Sequence, residues 1–234
     1  FNNEYWHIIF NTYEKTYHCS ALKIEKSCLS NENAKSVFNY LKLIADEISV
    51  KTEYDNKILA NQYDAMENFI SDNTVAYNYL LSQKANTFDD NELVIFPFGS
   101  NSSQTTAVNN ALTNQVSIIE GPPGTGKTQT ILNIIANLII RGKTVEVVSN
   151  NNSATENVYE KLCKYGYDFL VAPLGRKENK IKFIENQKEL LPDISDWKID
   201  ENRILEIKDE IKQSSEKLNE IFEKQNELAK DKQE

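Results

Sequence analysis

Apolar and polar residues alternate with three different rhythms along the chain. Between residues 31 and 80 the spacing is helical. Val37, Tyr40, Leu41, Leu43, Ile44 and Ile48 recur on one face, with Ser30 or Asn31 placed to cap. A second helix is expected at about 55–70 (Ile58, Leu59, Tyr63, Met66, Phe69, Ile70), and a third after Ser71. Before them, residues 5–10 and 17–26 read as a strand pair. In the middle, short apolar runs at 93–96, 116–119, 145–148 and 169–172 are separated by helical stretches at about 103–113, 127–141 and 153–165. Strands alternating with helices predict βαβ units and a mostly parallel sheet. From 201 a heptad begins, with Ile204, Ile207, Ile211, Ser214, Leu218, Ile221, Gln225 and Leu228 in its seam. That pattern predicts a coiled-coil arm with two polar lapses.

The fold class expected is therefore α/β. An accessory α+β unit at 1–90 precedes a nucleotide-binding core at 91–190, and a helical arm follows at 191–234. Glycine and proline sharpen these boundaries. All seven glycines and five prolines of the 234 residues fall between Pro97 and Pro192. Chain breakers are thus confined to the core, which argues against a many-turned β-sandwich.

Charge adds a second division. The net charge of −9 comes from residues 1–90 (8 basic, 13 acidic) and 191–234 (8 basic, 13 acidic), while residues 91–190 carry 10 basic and 9 acidic groups. No basic patch would hold nucleic acid by charge alone. No stretch approaches 18 apolar residues, so no membrane partner is expected. The N-terminus lacks a signal peptide, and Cys19, Cys28 and Cys163 are odd in number and widely spaced, which suits a cytoplasmic protein. The chain opens at Phe1 and closes inside the heptad, so both ends are expected to be cut.

One motif carries chemistry. Gly121-Pro122-Pro123-Gly124-Thr125-Gly126-Lys127-Thr128 fits G-x-x-x-x-G-K-[ST], after an apolar run and before a strong helix. Backbone N–H groups must wrap a phosphate too closely for side chains, hence the glycines. Lys127 would supply charge to the β- and γ-phosphates of ATP, and Thr128 a hydroxyl to Mg²⁺.

Two flanking segments extend the motif: Asn101-Ser-Ser-Gln104 upstream, and Asn150-Asn151-Asn152-Ser153-Ala154 after the run at 145–148. With the loop, they resemble the nucleotide-binding front half of superfamily I helicases, in the nonsense-decay and Okazaki-fragment branch. The resemblance spans 93 to about 180 and implies a RecA-like P-loop core. It implies that Gln104 reads the adenine edge and that Asn150, Asn152 and Ser153 touch the phosphates of single-stranded DNA or RNA. A capping role for Asn152 or Ser153 uses the same groups. Leu174-Gly175-Arg176 weakly resembles the segment just beyond.

The chain departs from the family in two respects. No apolar run ending in Asp-Glu follows residue 144, and nothing corresponds to a second lobe with its arginine finger. Both are expected outside this chain, which alone should bind ATP without hydrolysing it usefully. The arm at 201–234 then matches the outgoing helix of an insertion, with a protein partner possible along it. Two other readings compete: a chromosome-maintenance ATPase with a coiled coil, and a non-enzymatic, nucleotide-gated scaffold. A metal site among His7, His18, Cys19 and Cys28 matches no zinc spacing, and Tyr5, Trp6, Phe10, Tyr13 and Tyr17 suit hairpin packing better than base stacking.

Overall fold

In the computed structural model, residues 4–22, 27–50, 57–67, 70–71, 74–89, 92–175, 177–186, 192–193 and 195–231 are described. The chain divides into two units, Phe1–Asn86 and Thr87–Glu234.

The first unit opens with an antiparallel hairpin of β1 (Tyr5–Ile9) and β2 (Glu14–His18), in register from Tyr5 opposite His18 to Ile9 opposite Glu14. The second strand lies earlier than the expected 17–26. The Phe10 N–H donates to the Tyr13 carbonyl at 2.7 Å, which turns the chain early, and a short 3₁₀ turn, Cys19–Ala21, ends the strand. Residues 23–26 lie outside the described residues. Phe10 stacks on Tyr13 with centroids 4.5 Å apart, and Tyr5 meets His18 edge-on at 5.1 Å. The two histidines have local partners: His7 pairs with Thr16 and Glu14, and His18 with Ser20. Among the described residues no cluster suited to a metal ion occurs.

Three helices complete the unit. Helix α1 (Glu32–Ile48) starts at Asn31, whose side chain accepts from the N–H groups of Asn33 and Ala34. Helix α2 (Ile58–Met66) is shorter than the expected 55–70; residues 51–56 and 68–69 lie outside the described residues. Helix α3 (Val75–Leu80) is capped by Thr74. They close over Cys28, Ala34, Phe38, Ile70 and Leu80. Burial there pushes the Cys28 thiol pKa up from its ordinary value.

The second unit is built on helix α5 (Lys127–Ile140), which packs against α4 (Ser102–Thr113) and α6 (Asn152–Lys164). Leu132 and Ile135 of α5 meet Val158 and Leu162 of α6, with Phe98 and Val171 at the edge of this core. Gly142, at φ 66°, ends α5 as a left-handed residue. Helices α7 (Lys177–Asn186) and α8 (Glu201–Asp231) follow.

The expected parallel sheet does not form among the described residues, where β1–β2 is the one ladder. Residues 93–96, 117–120 and 143–149 run without regular structure, and Phe169 and Leu170 lie in a 3₁₀ turn. Apolar runs become strands only by exchanging hydrogen bonds with a neighbouring strand. Ile118 and Val148 remain 82% and 78% exposed, so no sheet neighbour covers them. Helix α8 is continuous for 31 residues, but its seam residues Ile221 and Leu228 are exposed and a coiled-coil pairing is not seen. Midway along α8, Leu218 and Lys212 line a cavity of about 400 Å³ with Leu93, Phe96, Thr105 and Asn109. No helix among the described residues is long and apolar enough to cross a membrane.

Candidate nucleotide-binding site

The site is the turn that leads into α5. Gly126 takes φ 81°, in the left-handed region, and starts the helix with no side-chain cap. A side chain there would also collide with the Gln104 carboxamide, so glycine is required twice over. The first N–H groups of a helix have no intrahelical partner. With no side chain capping them, the N–H groups of the first turn of α5 are left to serve an anion, aided by the helix dipole.

The loop is braced from within. Thr125 Oγ1 donates to the Pro122 carbonyl at 2.8 Å. Lys127 Nζ donates to the carbonyls of Gly121 at 2.5 Å and Pro122 at 2.9 Å. The ammonium is thus held over the mouth of the loop, solvent-exposed, by weak acceptors that a phosphate can outcompete. Thr128 is half-buried on the next position of the helix, and Pro123 and Gly124 are exposed at the tip. The donor set fits a nucleotide triphosphate: backbone N–H groups, one ammonium and one hydroxyl.

Gln104 reaches the loop from α4. Asn101 and Gln104 form a complete capping box: Gln104 N donates to Asn101 Oδ1 at 2.9 Å, and Asn101 N donates to Gln104 Oε1 at 3.0 Å. The same carboxamide then donates from Nε2 to the Thr125 carbonyl at 3.1 Å. Gln104 is therefore buried, and it ties the start of one helix to the loop that starts another.

Behind the loop lies a feature that the sequence pattern shows only as interruptions. Gln129, Asn133, Asn137 and Arg141 recur every four residues and form one stripe along α5. Each meets the segment that runs from Glu92 to Gly99. Asn137 Oδ1 accepts from Ile95 N at 2.9 Å while its Nδ2 donates to Ile95 O at 2.7 Å. Asn133 Oδ1 accepts from Phe98 N at 3.2 Å and its Nδ2 donates to Gly99 O at 2.8 Å. Gln129 donates to Phe98 O, and Arg141 lies 3.8 Å from Glu92. The two asparagines are completely buried. They act as a substitute strand edge, giving this apolar segment the donors and acceptors that a ladder would give it. Spacing of i, i+4 between two amides in an otherwise apolar helix was the available signal.

Asn150, Asn152 and Ser153 gather at the exposed N-terminus of α6. The cap is Asn151, one residue before the expected Asn152 or Ser153. Its Oδ1 accepts from Ser153 N at 3.0 Å and Ser153 Oγ at 2.9 Å. Arg176 lies outside the described residues.

A glycine-rich turn feeding an uncapped, deeply packed helix, with an ammonium at its mouth, defines a phosphate-binding domain of the P-loop class. Residues 99–234 match a family described as an AAA domain, and the chain belongs to it. It is similar to the DNA polymerase alpha-associated DNA helicase A of Schizosaccharomyces pombe, 32% identical over 55% of this chain and 18% of that protein. Its counterpart in Saccharomyces cerevisiae is 31% identical over 52% of this chain and 19% of that protein. The regulator of nonsense transcripts 1 homolog of Drosophila melanogaster is 44% identical over 26% of this chain and 5% of that protein. These relatives belong to the branch of superfamily I helicases that the motifs resemble. The matched part is less than a fifth of the length of each of the three. No solved structure matches the chain.

Proposed function

We propose that the chain is the ATP-binding front part of an ATP-dependent nucleic-acid helicase or translocase. The observation that carries this reading is the α5 entrance: a left-handed Gly126, no side-chain cap, and Lys127 Nζ poised on two loop carbonyls. In this reading the backbone N–H groups of Gly124, Thr125, Gly126 and Lys127 wrap the β-phosphate. Lys127 exchanges its two carbonyls for phosphate oxygens, and Thr128 offers its hydroxyl to Mg²⁺. Bound Mg²⁺ supplies charge neutralisation between the phosphates. Gln104 faces the base. Catalytic roles for Lys127 and Thr128 follow from these contacts, in a whole protein that supplies the acidic residues and second lobe.

The exposed start of α6 suits the backbone of single-stranded DNA or RNA. Asn150 and Asn152 add side-chain amides to first-turn N–H groups, and Ser153 shares its hydroxyl with the cap. The core at 91–190 is read as RecA-like with a parallel sheet completed by further strands. Helix α8 is read as one half of a coiled-coil arm that can bind a protein partner. The relatives are helicases, so the chromosome-maintenance and scaffold readings draw no support from them.

Steady-state ATPase of the full-length gene product, with and without single-stranded oligonucleotide, tests this reading. Stimulation by the strand that disappears in Lys127→Ala is expected. ATP-dependent partner binding with no response to any strand would establish the scaffold instead.

A further inference from the structure

The peptide between Thr125 and Gly126 decides what the phosphate loop presents to an anion. In a trans peptide the carbonyl and the N–H point to opposite sides of one plane. The Thr125 carbonyl is turned onto α4, where it accepts from Gln104 Nε2 at 3.1 Å. The Gly126 N–H is therefore turned the other way, off α4. The plane pivots on ψ of Thr125 and φ of Gly126. Glycine takes positive and negative φ about equally, so the φ of 81° at Gly126 is free of strain but also free to reverse. A reversed plane would withdraw one N–H from the anion site and put a carbonyl dipole in its place.

A chain of side-chain amides holds the plane as it stands. Gln104 Oε1 accepts from Asn101 N at 3.0 Å, which turns its Nε2 to the loop. Gln129, on the first turn of α5, accepts from that Nε2 at 3.5 Å and donates from its own Nε2 to the Phe98 carbonyl. Turning the Gln104 amide over would set its carbonyl against those of Thr125 and Gln129 and strand the Asn101 N–H. The backbone is thinned on both sides to admit these side chains. A Cβ on Gly126 would collide with Gln104 and lie 3.2 Å from Gln129 Oε1, and a Cβ on Gly99 would lie 3.2 Å from Gln129 Nε2.

We propose that Gln129 and Gln104 are positioning residues that lock the Thr125–Gly126 peptide, carbonyl outward and N–H inward, and so pre-form the phosphate site before a ligand arrives. The ligand they act on is the polyphosphate chain, whatever is attached to it. This inference rests on reading residues 121–128 as the phosphate site.

The test uses tripolyphosphate, which has no base, displacing a fluorescent ATP analogue from this chain with Mg²⁺ present. Lys127→Ala should weaken both ligands at least tenfold. Gln104→Ala should weaken tripolyphosphate about fivefold, the loss of one hydrogen bond. Gln129→Met, which removes both polar ends at similar length, should weaken both ligands about threefold and add nothing to Gln104→Ala. Gln129→Asn, too short to span both partners, serves if the Met variant does not fold. Asn101→Ala opens the capping box but leaves the Gln104 donor, so tripolyphosphate affinity should stay within about twofold. In ¹⁵N spectra of unliganded Gln129→Met, the Gly126 amide should move or broaden while those of Leu132 and Ile135 stay in place. Tripolyphosphate affinity unchanged in Gln104→Ala, or lost as far in Asn101→Ala, would overturn the proposal, as would additive losses. Lys127-dependent ATP binding that tripolyphosphate cannot displace overturns it alone. Absence of any Lys127-dependent binding removes the phosphate-site reading and this inference together.

Discussion

Helices α5 and α8 both carry an apolar stripe broken by two polar residues, and the breaks mean different things. In α5 they are Asn133 and Asn137, completely buried and bonded across to the segment 95–99. In α8 they are Ser214 and Gln225, both exposed; Ser214 Oγ donates back to the Glu210 carbonyl of its own helix at 2.8 Å. A buried amide is stable only with its partners, so the α5 pair are structural joints. A polar residue in a half-solvated seam costs little and contributes little. The difference shows in the spacing: the α5 amides follow one another at i, i+4 and continue into Gln129 and Arg141. Apolar Leu218 and Ile221 separate the two lapses of α8.

The contrast breaks most readily at Asn137. Asn137→Leu should leave the Ile95 N–H and carbonyl without partners and cost about 2–3 kcal/mol. It should be read as lost hydrogen-exchange protection at the Ile95 amide, which donates to Asn137, while Phe98, which donates to Asn133, keeps its own; unchanged protection at Ile95 would contradict the substitute-edge role. Asn101→Ala removes one arm of the capping box and should cost about 1 kcal/mol in urea denaturation, with fraying confined to α4. Asn151→Ala should cost about 0.5–1 kcal/mol, whereas Asn152→Ala should be near neutral; the reverse order would move the α6 cap. Smallest is Gln225→Leu in α8, expected within about 0.5 kcal/mol, with sedimentation showing whether the smoothed seam draws chains together.

What was legible follows the same logic. Helices announce themselves locally. Asn31 and the Asn101–Gln104 pair sit at the starts that they cap, and Gly142 sits past the end of α5. The phosphate loop was legible because its chemistry fixes a contiguous spacing. Strand pairing is not local. The runs at 116–119 and 145–148 read as sheet, yet Ile118 and Val148 stay exposed because no neighbour in the described residues exchanges bonds with them. The β2 strand was misjudged because Glu14, Lys15 and Thr16 look like a polar turn, while the turn itself is the aromatic-flanked Phe10–Tyr13. Three consecutive asparagines, 150–152, hid which one caps α6. The amide stripe of α5 was visible as a disturbance of the apolar pattern, but its partner segment lies about 35–42 residues away in sequence and no local pattern names it.

Phosphate binding at the entrance to α5 is tested most directly by calorimetric titration of this chain with Mg-ATP. One nucleotide per chain should bind, and Lys127→Ala should weaken it at least tenfold, the scale expected for losing a charge-assisted contact to phosphate. An affinity unchanged by Lys127→Ala would contradict the placement of the phosphates at residues 121–128.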